Sequence, residues 1–247
     1  MEASGVLERP DGERVAWMRV DGRGPTVVWL GGFKSDMTGT KAQALAEWAQ
    51  ANGRACVRFD YFGHGASTGE FAAGTISRWR RDALAVLAEL TEGDLVLVGS
   101  SMGGWIACLA AMVVPERIAG MVLVAPAPDF TEKLMTPEIP PEGHAALTAD
   151  GVWLRPSEYG DPYPITRALL EDGARWSILG GEPIPLTMPI RILQGAQDPD
   201  VPWQHALELA QTLKGEDVVF SLIKDGDHRL SRPQDIDRLI AAVEELG

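Results

Sequence analysis

At 247 residues, with 45% hydrophobic and 23% charged side chains, the chain can bury a sizeable core and has the composition of an ordinary globular protein. Lys and Arg number 22 against 35 Asp and Glu, a net charge of −13, which disfavours nucleic acid and anionic membrane surfaces as partners. The longest apolar run, residues 105–114, is too short to span a bilayer, so no stable membrane insertion is expected.

The first twenty residues read as a hairpin, with strands at 5–9 and 14–20 about the turn RPDGER. Strand candidates follow at 26–30 (TVVWL), 55–59 (ACVRF), 95–98 (LVLV), 121–124 (MVLV), 190–193 (IRIL) and 218–223 (VVFSLI). Most are continuous apolar runs without alternation, the pattern of parallel strands covered on both faces. Between them, Ala42, Leu45, Ala46 and Ala49 share one helical face, as do Ile76, Trp79, Ala83, Val86, Leu87 and Leu90. Ile236, Leu239, Ile240 and Val243 do the same near the C-terminus. This alternation predicts an α/β fold with a mostly parallel central sheet and helices on both faces.

One stretch breaks the rhythm. From Pro126 to Pro189 lie 11 of the 17 prolines, together with Trp153, Tyr159, Tyr163 and Trp176. Some sixty residues between two strands exceed what a simple strand–helix unit needs, and disordered linkers are poor in aromatics. The expectation is a cap at 127–188 folded over the C-terminal edge of a core made of 1–126 and 189–247. Trp153, Tyr159 and Trp176 are candidates to line an apolar pocket there, with a packed cap core as the equal alternative.

The strand at 95–98 runs into Gly99-Ser100-Ser101-Met102-Gly103, a G-x-S-x-G turn followed by a helix pattern. A nucleophile on so sharp a turn needs glycine at 99 and 103, where side chains would collide with neighbouring backbone. Gly104, Ala107, Ala110 and Ala111 keep the following helix slim, and Pro115 predicts that it ends near Val114. Ser101 is therefore the candidate nucleophile, and Ser100, off the motif's centre, is not.

A serine hydroxyl needs a base, and the base must be oriented. Of the four histidines, His64 sits in a turn (YFGHGAST), His144 in the expected cap and His205 in a helix pattern; each reads as structural or surface. His228, in IKDGDHRLS, follows the last strand at its C-terminal end, where sites collect in open α/β sheets. The acid should lie between serine and histidine in the chain. The segment PIRILQGAQDPDVPW offers Asp198 and Asp200, with Asp198 preferred and Asp200 as its rival, before a helix that opens near Pro202. Oxyanion donors are expected from the Met102 N–H, next to Ser101, and from the Phe33 N–H, which follows Gly31-Gly32 after the 26–30 strand.

These pieces resemble the α/β-hydrolase superfamily. More narrowly, they resemble its mitochondrial abhydrolases with acyl-glucuronide esterase and palmitoyl-protein thioesterase activity, and their bacterial relatives. The resemblance runs from about residue 26 to 240 through MTGTKA, RFDYFGHGAS, GSSMGGW, GVWLRPSEY, PIRILQGAQDPDVPW and DHR. It implies a serine hydrolase of carboxylic esters or thioesters, with nucleophile, acid and base on Ser101, Asp198 and His228. The substrate would be a small molecule or an acylated protein. A non-hydrolytic binding protein, or a lyase or perhydrolase on the same fold, is the alternative reading.

The acyl-transfer mechanism needs no cofactor or metal, and no paired CxxC, HExxH or G-x-x-x-x-G-K-[ST] occurs. Cys56 and Cys108 lie in apolar surroundings and read as reduced thiols. With an acidic start broken early by Pro10 and Gly12, which is not a secretory signal, the expectation is a cytoplasmic, bacterial protein.

Overall fold

The computed structural model describes residues 2–156 and 162–247. Strands β1 (Glu2–Glu8) and β2 (Arg14–Val20) form the N-terminal hairpin, paired antiparallel. The chain then alternates through β3 (Arg23–Leu30), α1 (Thr40–Asn52), β4 (Arg54–Phe59), α2 (Ile76–Glu89), β5 (Leu95–Ser100), α3 (Met102–Ala111) and β6 (Ile118–Val124). After the proline-rich stretch it resumes with β9 (Ile190–Gly195), α6 (Trp203–Thr212), β10 (Val218–Ile223) and α7 (Pro233–Leu246). The eight strands order as β1-β2-β4-β3-β5-β6-β9-β10, with β1–β2 and β2–β4 antiparallel and every other pair parallel.

The apolar runs are explained by two cores, one on each face. Leu30, Leu95, Leu97, Met121, Leu123, Ile190 and Ile192 point to the side of α2, α3 and α6. Their chain neighbours Trp29, Val96, Val98, Val122 and Leu193 point to the side of α1 and α7. Side chains still alternate with period two, but both faces are dry, so the sequence shows no polar alternation. Each such leucine or valine, fully buried, contributes about 1.5–3 kcal/mol relative to an exposed one. Cys56 and Cys108 are both buried and unpaired. No helix among the described residues is long and apolar enough to cross a membrane.

Helix α3 stops at Ala111 rather than near Val114. Val114, held before Pro115, adopts φ −128 and ψ 51, and the last turn tightens as the Val113 N–H donates to the Ala110 carbonyl at 2.9 Å.

Between β6 and β9 the chain builds α4 (Pro141–Ala149), the antiparallel pair β7 (Val152–Arg155) and β8 (Tyr163–Thr166), and α5 (Arg167–Ala174). A single carboxylate gathers the two ends of this segment. Asp129, 1% exposed and at φ 55, accepts hydrogen bonds from Ser177 Oγ, Ile178 N and Leu179 N. Asp172 of α5 accepts from both the amide and the hydroxyl of Ser77 on α2, each at 2.7 Å, which ties the segment to the sheet's helical layer.

Candidate active site

Four loops meet at the C-terminal ends of the parallel strands, where an open α/β sheet exposes its strand ends. The first is the turn from β5 to α3. Ser101 stands there at φ 55 and ψ −120, a left-handed conformation that costs a non-glycine residue on the order of 1–3 kcal/mol. Neighbours hold it in place: the Ser101 N–H donates to the Val124 carbonyl at 2.9 Å, while its own carbonyl accepts from Gly104 and Ala127. The flanking glycines are sterically required. A Cβ on Gly99 would approach Gly103 O to 2.5 Å, and one on Gly103 would overlap the Leu30 carbonyl oxygen. Ser100 ends β5 and is buried.

The second and third loops follow β9 and β10. His228 Nδ1 donates to Asp198 Oδ2 at 2.8 Å. The other carboxylate oxygen, Oδ1, accepts from the Asp200 and Val201 amides at 2.9 and 2.8 Å. The Asp198 side chain is fully buried and that of His228 is about a quarter exposed, so the acid is fixed and the imidazole's Nε2 is left for other work. Gly195 lets these loops meet, because a Cβ there would strike the Gly226 and Asp227 carbonyls. Asp200 is exposed, and its carboxylate lies within 4.8 Å of the Asp198–His228 pair. No hydrogen bond joins Ser101 Oγ to the imidazole among the described residues; catalytic hydrogen bonds commonly tighten only once substrate is bound.

The fourth loop follows β3. A Cβ on Gly32 would come within 3.4 Å of Ser101 Cβ and of the Ser100 carbonyl, so this backbone lies directly against the serine turn. Met102 opens α3 on the other side, and the first N–H groups of a helix have no intrahelical partner. Phe33 packs its ring edge-on against Phe71, Phe130 and Trp79, with centroids at 4.9, 5.6 and 5.9 Å. Tyr163 of β8 lies 6.4 Å from the same ring, and the Lys34 ammonium sits 4.4 Å above the Tyr163 ring.

Of the aromatic residues singled out in the sequence, Trp153 and Trp176 are described by the structure. Trp153 stands against Gly143 of α4 and packs on the core beneath. Trp176 is a fastener: its Nε1 donates to Ser77 Oγ at 2.7 Å, its carbonyl accepts from Trp105 Nε1, and Arg80 stacks on its ring at 4.4 Å. Tyr159 lies outside the described residues. Tyr163 and Phe130, neither of them singled out in the sequence, are aromatics of the segment that reach the Phe33 ring.

The other histidines are distributed by burial. His144 is exposed on α4. His205 is buried, its Nε2–H donates to the Pro128 carbonyl at 2.7 Å, and desolvation lowers its pKa. His64 is 3% exposed beside the Phe33 loop, and burial pushes it down to about 4. Sequence reasoning missed Gln194, wholly buried at the end of β9, whose Nε2 donates to Asp198 Oδ2 at 3.1 Å and to the Val201 carbonyl at 3.0 Å. The available signal was a lone amide in an apolar strand run.

The chain is similar to known proteins. Residues 25–168 match the family model Hydrolase_4, described as serine aminopeptidase, S33. The human protein named palmitoyl-protein thioesterase ABHD10, mitochondrial, is 35% identical over 242 residues, covering 97% of this chain and 78% of that one. A mouse structure described as alpha/beta hydrolase domain-containing protein 10 superposes with a TM-score of 0.89 at 34% identity, over 99% of this chain and 98% of that one. A crystallised protein of Agrobacterium vitis S4 superposes with a TM-score of 0.95 at 45% identity, over 100% and 99%.

Proposed function

Because the chain belongs to the serine aminopeptidase S33 family of α/β-hydrolases, we propose that it cleaves carboxylic thioesters or esters through a covalent acyl-serine on Ser101. His228 takes the Ser101 proton as Oγ attacks the carbonyl carbon, and the Met102 and Phe33 amides hold the oxyanion. Collapse expels the thiol or alcohol, which receives that proton from His228. Water, activated by the same imidazole, then hydrolyses the acyl-enzyme and restores the serine. Asp198 keeps the proton on Nδ1 and stabilises the imidazolium as it forms.

The observation that carries this reading is the 2.8 Å Asp198–His228 hydrogen bond, in loops after β9 and β10 of the parallel sheet whose strand β5 leads into Ser101 at φ 55. A buried carboxylate that orients an imidazole, and a serine held at a strained φ after a parallel strand of the same sheet, each have a chemical use and a folding cost. The segment 127–188 serves as the cap, and Tyr163 and Phe130 around Phe33 form an apolar wall suited to an acyl chain. A long-chain thioester, as on an acylated protein, is the substrate class the relatives' name favours. Two buried, unpaired thiols fit a reducing compartment such as the cytoplasm.

The test is hydrolysis of matched oxygen esters and thioesters from C2 to C16 by wild type and Ser101→Ala. The expected result is a preference for long-chain thioesters, with turnover lost by about 10³-fold or more in the variant. Undiminished turnover by a folded Ser101→Ala protein would sink the assignment. A preference for short oxygen esters would retain the nucleophile and replace the substrate class.

A further inference from the structure

The turn FDYFGHGAS, residues 59–67, takes no part in the chemistry above, yet it grips the loop that carries Phe33. The Lys34 N–H donates to His64 Nε2 at 3.0 Å, and three residues on, the Met37 N–H donates to Asp60 Oδ1 at 2.7 Å. The turn is itself tightly held. Asp60 Oδ2 accepts from the Ala66 amide at 2.8 Å, and the Ser67 N–H donates to the His64 carbonyl at 3.0 Å.

The partners of His64 fix its proton. An amide can only donate, so Nε2 must accept from Lys34; a carbonyl can only accept, so Nδ1 must donate to Phe62 O at 3.1 Å. Both bonds are made at once by a single neutral tautomer. Rings of Phe71, Trp79 and Tyr61 surround it at 5.0, 5.3 and 5.8 Å.

The consequence reaches Phe33 through peptide planarity. Lys34 sits at φ 56, a left-handed conformation that a non-glycine residue adopts only when its surroundings impose it. The His64 bond fixes the Phe33–Lys34 peptide. On the other side of Phe33, the Gly32 carbonyl accepts from Ser35 N at 3.2 Å and from Ser35 Oγ at 2.8 Å. In a trans peptide the N–H points opposite to the C=O, so the Phe33 N–H points away from Ser35. The same peptide begins at Gly32, whose Cα faces the Ser101 side chain.

We propose that His64 is a positioning residue for the oxyanion hole: its Nε2 lone pair, taken up by the Lys34 amide, holds the Phe33 N–H in line with the oxyanion formed at Ser101. This rests on the reading above that Phe33 supplies an oxyanion donor. A donor displaced by a few tenths of an ångström still lets substrate bind, but it loses the charge that appears only in the transition state.

The test uses three substitutions at His64, with folding followed by near-ultraviolet circular dichroism. His64→Phe keeps a ring among Phe71, Trp79 and Tyr61 and removes the acceptor. His64→Gln replaces Nε2 with a carbonyl oxygen at similar reach, and His64→Asn is polar but reaches only the Nδ1 position. The readouts are kcat and KM on an activated ester and the Ki of a trifluoromethyl ketone, whose adduct with Ser101 places an oxyanion in the hole. The expected result is a kcat loss of roughly 10- to 100-fold in the Phe and Asn variants, below the 10²–10³ seen when an oxyanion donor is removed outright. KM should stay within about threefold, the ketone Ki should weaken in step with kcat, and Gln should recover most of both. If the Phe variant does not fold, the Gln and Asn pair decides. Wild-type kcat and ketone affinity in a folded Phe or Asn variant would overturn the proposal, as would a Gln variant as impaired as Asn. Retained turnover in Ser101→Ala would remove the catalytic assignment itself, a separate failure.

Discussion

Gln194 and His228 share one carboxylate oxygen: Asp198 Oδ2 accepts from Gln194 Nε2 at 3.1 Å and from His228 Nδ1 at 2.8 Å. Gln194 is wholly buried, and among the described residues its Oε1 has no hydrogen-bond partner, an unmet acceptor that ordinarily costs about 1–3 kcal/mol. Its retained contribution is to fix the Asp198 rotamer from below. Gln194→Leu keeps the volume and removes the donor. The expected outcome is a kcat lower by about 10- to 100-fold, the range for a hydrogen bond to a charged group. Unchanged steady-state kinetics would show that the two backbone amides on Oδ1 suffice to hold the acid.

The two aspartates of the β9 loop should separate cleanly. Asp198 is buried against His228, while Asp200 is exposed and lends the pair its backbone N–H. Asp198→Asn should lower kcat by about 10³–10⁴-fold, because an amide in that place stabilises the wrong imidazole tautomer. Asp200→Asn should change kcat by less than about fivefold, since an exposed charge is screened. Measured kcat/KM for the two variants in the reverse order would exchange their roles.

Glycines at the serine turn should differ from glycines at a helix end. A methyl on Gly103 would overlap the Leu30 and Gly31 carbonyls, which belong to the strand and loop leading to Phe33. Gly53, at φ 63 after α1, meets nothing within 4 Å. Gly53→Ala should cost about 1 kcal/mol for its left-handed conformation alone, whereas Gly103→Ala should cost at least about 3 kcal/mol. Urea unfolding midpoints of the two variants check this; similar shifts would mean that the turn relaxes freely.

His64 should also leave a mark on stability against pH. Its folded value of about 4 lies below the ordinary 6.5, so between those two values the unfolded chain binds a proton that the folded one refuses. Stability is fully present above about pH 6.5 and declines as the pH falls towards about 4, by at most roughly 3 kcal/mol. Burial is the main cause and the Phe62 carbonyl opposes it; its other near partners are the Lys34 amide and three aromatic rings. His64→Gln removes this titration. Its unfolding midpoint should therefore fall less than that of wild type between pH 7 and pH 5, and parallel profiles would mean that His64 titrates normally.

Much of the framework was legible because it is local. An apolar run of four or five residues states that both faces of a strand are dry, and β3, β5, β6 and β9 contain such predicted segments; β10 also contains its predicted segment but lies at the sheet edge with Val219 and Leu222 exposed. The G-x-S-x-G spacing states a steric need that Gly99 and Gly103 meet within five residues of chain. Helix ends were legible to within a turn, with α3 three residues shorter because Pro115 acts on Val114 and the last turn tightens.

Other features were invisible because they belong to the space between segments. His64 and His228 both follow a strand, and His228 stood out in the sequence by its place after the last one. The difference lies in what each ring meets: a buried carboxylate from thirty residues upstream for His228, and the amide of a loop thirty residues upstream for His64. Likewise the contacts of Trp176 with Ser77, Arg80 and Trp105, and those of Tyr163 with Phe33 and Lys34, join segments far apart in the chain. The sequence by itself determined the order of strands and helices, the tight serine turn and the shortlist of polar residues at strand ends, since these follow from steric and periodic rules among chain neighbours. Tertiary structure alone decided that His64 accepts from the Lys34 amide and that Gln194 shares the Asp198 oxygen with His228, because the direction of a hydrogen bond and the loss of water around it depend on partners that only folding brings together.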